Sequence, residues 1–230
     1  RNPIDNSLVN ITELTLKEAG DVYLREGYSM SDVFTTGILQ RGRDGKLVEE
    51  GNGYQVDRSQ RIRLGSADPD FTMGWRHDIN YKNISLGLMI TGRFGGIVTS
   101  QTQAFMDAFG VSKVSAEARD NGGVMLDGHR YDAERYYNTV GGQGLMSYYT
   151  YDATNVRLQE LSLTYSLPKK WLGDVFNNAT ISFVGRNLFM FYRKAPFDPD
   201  MNGSTGTYNR SDFFMAPSLR NLGFSIKFSL

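Results

Sequence analysis

Few residue types in this chain could make or break bonds. Cysteine is absent, which removes thiolate nucleophiles, thiolate zinc sites and disulfides together. The two histidines, His77 and His129, lie far apart. His129 has Asp127 and Asp132 close by in sequence, the raw material of an acid–base pair. No serine or cysteine nucleophile motif accompanies them, so the cluster reads as loop polarity. Asp198 and Asp200 sit in FDPDMNG. That pair resembles turn-forming carboxylates more than the two acids of a glycosidase. No catalytic residue, resident metal or cofactor is expected.

What remains is binding chemistry. The stretch 99–154 concentrates Tyr131, Tyr136, Tyr137, Tyr148, Tyr149 and Tyr151. Such rings stack on sugar faces or peptide side chains, and their hydroxyls bond polar ligands. The competing reading is that the rings pack the loop against itself or a partner. Arg93 and Arg186 fall on polar phases of alternating segments and are further candidates for substrate contact. Arg76 and Asp78 are neighbours on one such phase and read as an ion pair. Lys plus Arg and Asp plus Glu each number 25, so no basic excess exists for a nucleic-acid footprint.

The elements that must carry these residues are strands. In FTMGWRHDINY, 71–81, the odd positions Phe71, Met73, Trp75, His77, Ile79 and Tyr81 alternate with Thr72, Gly74, Arg76, Asp78 and Asn80. This is period two, not 3.6. ISLGLMITGRF, 84–94, repeats it after the short Lys82-Asn83 link, which predicts a hairpin. Residues 155–167 and 180–192 also alternate, and 221–230 places Leu222, Phe224, Ile226, Phe228 and Leu230 in one phase. Val156 and Leu158 are out of phase with Leu161, Leu163 and Tyr165, which predicts a β-bulge near Gln159-Glu160. Weaker strands are predicted at about 8–16 and 33–40. QAFMDAF and VSAEARD, within 103–120, read as short loop helices.

A soluble antiparallel sheet would also alternate, but its strands average about five to six residues. Eleven residues at about 3.3 Å each, tilted roughly 40°, rise about 25 Å, the height of the apolar band of an outer-membrane barrel. Aromatics close the apolar faces at both ends, as interfacial girdles do. The phases therefore predict Phe71, Met73, Trp75, Ile79, Tyr81, Leu222, Phe224, Ile226 and Phe228 as lipid-facing. The connections 41–69, 99–154 and 193–217 are long and fall on one side, as extracellular loops would. About seven strands cannot close a wide barrel, and an open edge cannot face lipid. The chain is therefore expected to be all-β and the C-terminal portion of a larger transmembrane barrel. The first residues, RNPIDNSLVN, show no signal-peptide pattern.

The segments DPDFTMGWRHDINYKNISLGLMITGRFGG (68–96), NVRLQELSLTYSLPKKWL (155–172), ISFVGRNLFMF (181–191) and PSLRNLGFSIKFSL (217–230) resemble the C-terminal barrel strands of SusC/RagA-type TonB-dependent transporters. EGYSMSDVFTTGILQ (26–40) is similar to an upstream family segment. The last strand resembles an outer-membrane assembly signal at Asn221, Gly223, Ile226 and Phe228. The resemblance implies a 22-stranded barrel with a plug domain outside this chain. It implies a SusD-like surface lipoprotein as lid, TonB as the energy-coupling partner, and a dimer of transporter–lipoprotein pairs. It places the protein in the outer membrane of a Gram-negative bacterium, importing an oligomeric nutrient, a glycan or a peptide, without enzymatic activity. The family's acidic loop after 33–40 is represented here by RGRDGKLVEEGNG (41–53), which lacks the alternating oxygen ligands of a calcium loop. The competing functional classes are a free-standing small outer-membrane barrel, an adhesin or enzyme, and a soluble ligand-binding barrel.

Overall fold

The computed structural model describes residues 13–16, 22–25, 28–29, 31–172, 176–200 and 211–229, the first two segments as backbone only. In chain order the first strands are β1 (Glu13–Leu16), β2 (Val22–Arg25), β3 (Asp32–Leu39), β4 (Glu49–Glu50), β5 (Gly53–Tyr54) and β6 (Val56–Ser66). The hairpin β7 (Phe71–Tyr81) and β8 (Ile84–Phe94) follows, then β9 (Ile97–Ser100), α1 (Gln101–Ala108) and α2 (Lys113–Asp120). Next come β10 (Val124–Leu126), β11 (His129–Tyr131), α3 (Ala133–Val140) and β12 (Thr150–Asp152). The chain continues through β13 (Asn155–Ser166), α4 (Lys169–Leu172), β14 (Asn178–Arg193), β15 (Ser211–Asp212) and β16 (Asn221–Ser229). These elements divide into two compact units.

One unit is drawn from Pro69–Gly96, Asp152–Met201 and Ala216–Leu230. Its framework is a five-stranded antiparallel sheet in the order β16-β14-β13-β8-β7, so each strand pairs with its neighbour in the chain's wall sequence. The register aligns the predicted phases across the strands. Ile79 faces Leu86, Leu86 faces Leu163, Leu163 faces Phe183 and Phe183 faces Phe224. Three rows away, Arg76 faces Met89, then Glu160, Arg186 and Asn221. A slip of one residue in any strand would exchange its apolar and polar faces. The bulge lies where alternation breaks: both ladders of β13 shift between Leu158 and Glu160. Tyr81 pairs with Ile84, and Lys82 takes a left-handed conformation, φ 52°, to close the two-residue turn.

The apolar face of this sheet is open. Phe71, Met73, Trp75, Ile79 and Tyr81 are about half exposed or more, and so are Leu222, Phe224, Ile226 and Phe228. At one end of the face Phe71 stacks on Phe94 with ring centroids 4.6 Å apart. A contiguous apolar surface on this scale needs an apolar medium or a partner to cover it.

The other unit gathers the described parts of Arg1–Asp68, Ile97–Tyr151 and Asn202–Met215. It holds the antiparallel pairs β1–β2 and β3–β6, the small hairpins β4–β5 and β10–β11, and the sheet β12-β9-β15. Each of its helices of eight residues begins on a side-chain cap: Ser100 for α1, Ser112 for α2 and Asp132 for α3. Such caps satisfy amide donors that the first helical turn leaves without partners.

Two expectations change. The connection predicted as 41–69 contains β6, so it ends near Gln55. VDRSQRIRLGS carries only Val56, Ile62 and Leu64 as apolar residues of one phase, too few to announce a strand beside three arginines. β3 also shifts register between Thr36 and Ile38, around Gly37 at φ 100°. A Cβ there would stand 2.8 Å from a Leu145 methyl, so glycine fits both the turn of the backbone and the close approach. Of the strand expected at 8–16, residues 13–16 are a strand and 8–12 lie outside the described residues. Leu230 and the part 201–210 of the 193–217 connection lie outside them too. Strands occur at 32–39, 71–81, 84–94, 155–166, 178–193 and 221–229, and helices occur at 101–108 and 113–120.

Candidate functional site

The tyrosines of 99–154 occupy the inside of their unit. Tyr131, Tyr136, Tyr137 and Tyr149 are each at most 8% exposed and join Leu39, Leu47, Tyr54, Val140 and Leu145 in one core. Their placement is specific. The Tyr131 hydroxyl accepts the Leu47 amide at 3.1 Å, and its ring meets Tyr54 edge-on at 5.6 Å. Tyr148, more than a third exposed, accepts the Leu39 amide through its hydroxyl at 3.2 Å. Burial raises the phenol pKa of Tyr136, Tyr137 and Tyr149, and pushes Tyr151 up to about 12, with the Asp107 carboxylate adding to the rise for Tyr151. Of the six candidate rings, Tyr131, Tyr136, Tyr137 and Tyr149 are therefore buried, as the packing reading has it. Four are the core that lets a long insertion hold a shape, as apolar mass with a polar handle does. Besides Tyr148, the exposed large apolar residues of this insertion are Phe105, Phe109, Val111, Val114 and Met125.

His129 ends at the hairpin β10–β11, and its acidic neighbours have other work. Asp127, left-handed at φ 48°, pairs with Arg41 at 2.5 Å, and Asp132 caps α3. His77 lies in the apolar phase of β7 and stacks on Trp75 at 5.6 Å. Arg76 bonds Asp78 at 2.9 Å. Among the described residues, no three His, Asp or Glu side chains converge to hold a metal ion. None of this assembles a catalytic set.

The strongest concentration of buried charge stands at the end of the five-stranded sheet opposite the Lys82-Asn83 turn. Arg157, in the polar phase of β13 upstream of the bulge, has a side chain only 6% exposed. Its guanidinium reaches Asp198 at 2.8 Å and Asp200 at 2.7 Å, while Nε lies 3.3 Å from the Asn155 amide oxygen. Asp198 also accepts the amides of Asp200 at 3.1 Å and Ser218 at 3.2 Å. Burial alone would raise the Asp198 pKa, but these amides and Arg157 outweigh it and hold the carboxyl below its ordinary value. Arg93 approaches Asp200 at 3.6 Å, and Arg93 pairs in register with Asn155. Arg186 stands farther down the same face and bonds Glu160 at 2.9 Å. The polar face thus carries a graded set of charges, and its upper end ties Asp198, Asp200 and Ser218 to the strands.

Arg157 was not legible as a site residue. The one sequence signal was its phase: it follows Asn155 by two in a stretch where Val156 and Leu158 are apolar. The spacing of Asp198 and Asp200 lets two carboxylates close on one guanidinium, but a pairing over about forty residues leaves no local pattern. Of the assembly-signal residues, Asn221 and Gly223 pair with Arg186 and Val184, and Ile226 and Phe228 with Ile181 and Ala179 on the apolar side.

No family model matches the chain. It is 29% identical over 188 residues to TonB-dependent receptor P3 of Formosa agariphila, which covers 78% of this chain and 18% of that protein. TonB-dependent receptor P26 of the same organism is 26% identical over 156 residues, covering 66% of this chain and 15% of its own length. The chain therefore spans less than a fifth of the curated relatives it matches. Among solved structures, the RagAB peptide importer in its 'open-open' state superposes with a TM-score of 0.68 at 17% identity, over 97% of this chain and 25% of the other. Its 'closed-closed' state gives 0.61 at 16%. The sheet register and the open apolar face agree with these likenesses: the chain is similar in sequence to part of two TonB-dependent receptors, and it shares its fold with about a quarter of a RagAB chain, a fragment of a β-barrel wall.

Proposed function

We propose that the intact protein imports an oligomeric nutrient across the outer membrane of a Gram-negative bacterium, with energy delivered through TonB. The observation that carries this reading is the register of five strands, which gathers apolar side chains on one face and charged side chains on the other. Backbone polar groups survive in hydrocarbon only in helices or closed barrels, so the remainder of a barrel must complete the sheet at β7 and β16. The apolar face then meets lipid, and the charged face meets the plug and the passing substrate. The long connections, with the unit that holds the Tyr136–Tyr149 core, stand outside the cell. Their exposed Phe105 and Phe109 are offered to a SusD-like lipoprotein lid, in a complex that forms a dimer of pairs. A peptide is the first substrate to try, because the solved relatives are named as a peptide importer, and a glycan is the second. Transport chemistry of this kind asks for binding and release rather than bond cleavage. The test is uptake of fluorescent peptide and glycan libraries by cells carrying or lacking the full-length protein. Loss of uptake in its absence, and equal loss when TonB is removed, is the expected result. Uptake that persists without TonB contradicts the proposal.

A further inference from the structure

The insertion buries a carboxylate without a counter-charge. Asp107 stands in the last turn of α1 and is only 5% exposed. One of its oxygens accepts the Gln103 side-chain amide at 2.9 Å. Among the described residues, no lysine, arginine or histidine comes within ion-pair distance of it. The Tyr149 hydroxyl is buried beside this carboxylate, yet it is aligned on no hydrogen-bond partner. Buried carboxylates are ordinarily paired or fully hydrogen-bonded. The position deepens the deficit, because the C-terminal end of a helix carries partial negative charge and favours cations. After burial, the Asp107 charge is the next cause of the raised pKa at Tyr137, Tyr149 and Tyr151.

Asp107 also lines a cavity. A space of about 300 Å³ lies among α1, α2 and α3. Asp107, Ala133 and Tyr137 are the buried part of its lining, and Phe109, Arg119 and Glu134 are the exposed part. The cavity therefore runs from a buried carboxylate to the surface. Glu134, in the first turn of α3, adds a second negative charge at the mouth. The Arg119 guanidinium is turned to the Gly110 carbonyl at 2.7 Å and does not reach Asp107.

We infer that this cavity is a cation site, which takes the ammonium or guanidinium group of a peptide with Asp107 as its counter-ion. A charge-assisted bond to the free side of the carboxylate supplies the partner that the fold leaves out. Ala133 and the rings of Tyr137 and Phe109 give the aliphatic stem of a lysine or arginine an apolar passage, and a cation beside an aromatic face is further favoured. The volume holds one such side chain with its attachment, so the site reads a single basic group and not a whole chain. The inference does not depend on the transport reading, because the ligand is defined by its charge and not by its passage.

The test uses the full-length protein purified in detergent and saturation-transfer NMR titration with four small probes. Three carry a cation: N-acetyl-lysinamide, N-acetyl-argininamide and norleucinamide with its free amine. The fourth, N-acetyl-norleucinamide, is the neutral counterpart. At least one cationic probe should bind about tenfold or more tighter than the neutral one, the scale of one charge-assisted bond. Which cationic probe binds tells a side chain from a chain terminus. The preference should vanish in Asp107→Asn, which keeps the shape and an acceptor for Gln103. An unchanged limited-proteolysis pattern checks that the insertion of this variant is folded. A second variant carries the opposite sign. Arg119→Gln removes a like charge from the mouth and should tighten the cationic probes about two- to fivefold at low salt, which a general loosening of the insertion would not do. Equal binding of cationic and neutral probes, no binding of any cation, a preference that survives Asp107→Asn, or weaker cation binding in Arg119→Gln overturns the site.

Discussion

Arg157 decides more at the upper end of the sheet than any other single side chain. Its charge is buried and shared by Asp198 and Asp200. Arg157→Met leaves Asp198 buried with no cation, which costs about 3–5 kcal/mol. Lys194→Gln, at an exposed pair with Asp152, costs below about 1 kcal/mol. Denaturant unfolding of the full-length protein in lipid measures both, and equal effects would contradict the burial argument. Asp198 also sets an acid limit. Its folded pKa lies below the unfolded value, so its contribution is complete above about pH 4 and is lost as pH falls further. The buried phenols act at the opposite extreme. Tyr151 is held neutral up to about 12 whereas an unfolded tyrosine ionises near 10, so its contribution is complete below about pH 10 and fades as pH rises toward 12. Phenolate absorbance at 295 nm should rise in two stages, exposed rings first and the Tyr136, Tyr137, Tyr149 and Tyr151 group later, together with unfolding. A single stage near pH 10 would contradict their burial. Sequence identified these rings as a concentrated set but not their direction, because a tyrosine is equally suited to a core and to a binding surface.

Strands with one apolar and one polar face were legible because every second residue repeats the same environment. β7, β8, β13 and β16 followed their phases, and even the bulge in β13 appeared as a break in alternation. β6 was not legible, because five polar or charged residues, 57–61, separate Val56 from Ile62 and Leu64 and leave too little alternation to read. The hairpins β4–β5 and β10–β11 and helix α3 were equally hidden, since short elements held by tertiary packing leave weak periodicity. The turn at Lys82 gives an element-scale prediction. Lys82→Gly removes the cost of a left-handed side-chain-bearing residue and should stabilise the β7–β8 hairpin by about 1 kcal/mol, read as a higher unfolding midpoint of the full-length barrel. An unchanged or lower midpoint would mean that the turn conformation is not the one described. The insertion also carries a caution. Residues 125–145 look like a disposable loop tip, yet they include Tyr131, Tyr136, Tyr137, Val140 and Leu145 of the core. Their removal should collapse the whole insertion rather than trim it.

At the scale of the molecule, this segment is only part of a structure. The five-stranded sheet ends at β7 and β16, and its apolar face is exposed. Edges and faces of this kind drive aggregation when left uncovered. The isolated 230-residue chain should therefore be recovered only as aggregate without detergent, and a monodisperse soluble monomer that melts cooperatively would count against a barrel wall. In the completed barrel the wall has a direction. Trp75, level with Ile90 and Leu158, lies near the middle of the apolar face, and Trp75→Arg should cost about 2–4 kcal/mol. The most direct measurement of the central claim is spin-label accessibility along β7 and β16 of the full-length protein in lipid bilayers, using single cysteines at 71–81 and 221–228. Oxygen, which concentrates in hydrocarbon, should broaden labels at 71, 73, 75, 79, 81, 222, 224, 226 and 228. A water-soluble nickel complex should broaden those at 72, 74, 76, 78, 80, 221, 223, 225 and 227. That alternation, in phase with the apolar residues of both strands, is what the account predicts. Uniform accessibility, or alternation in the reverse phase, would contradict it.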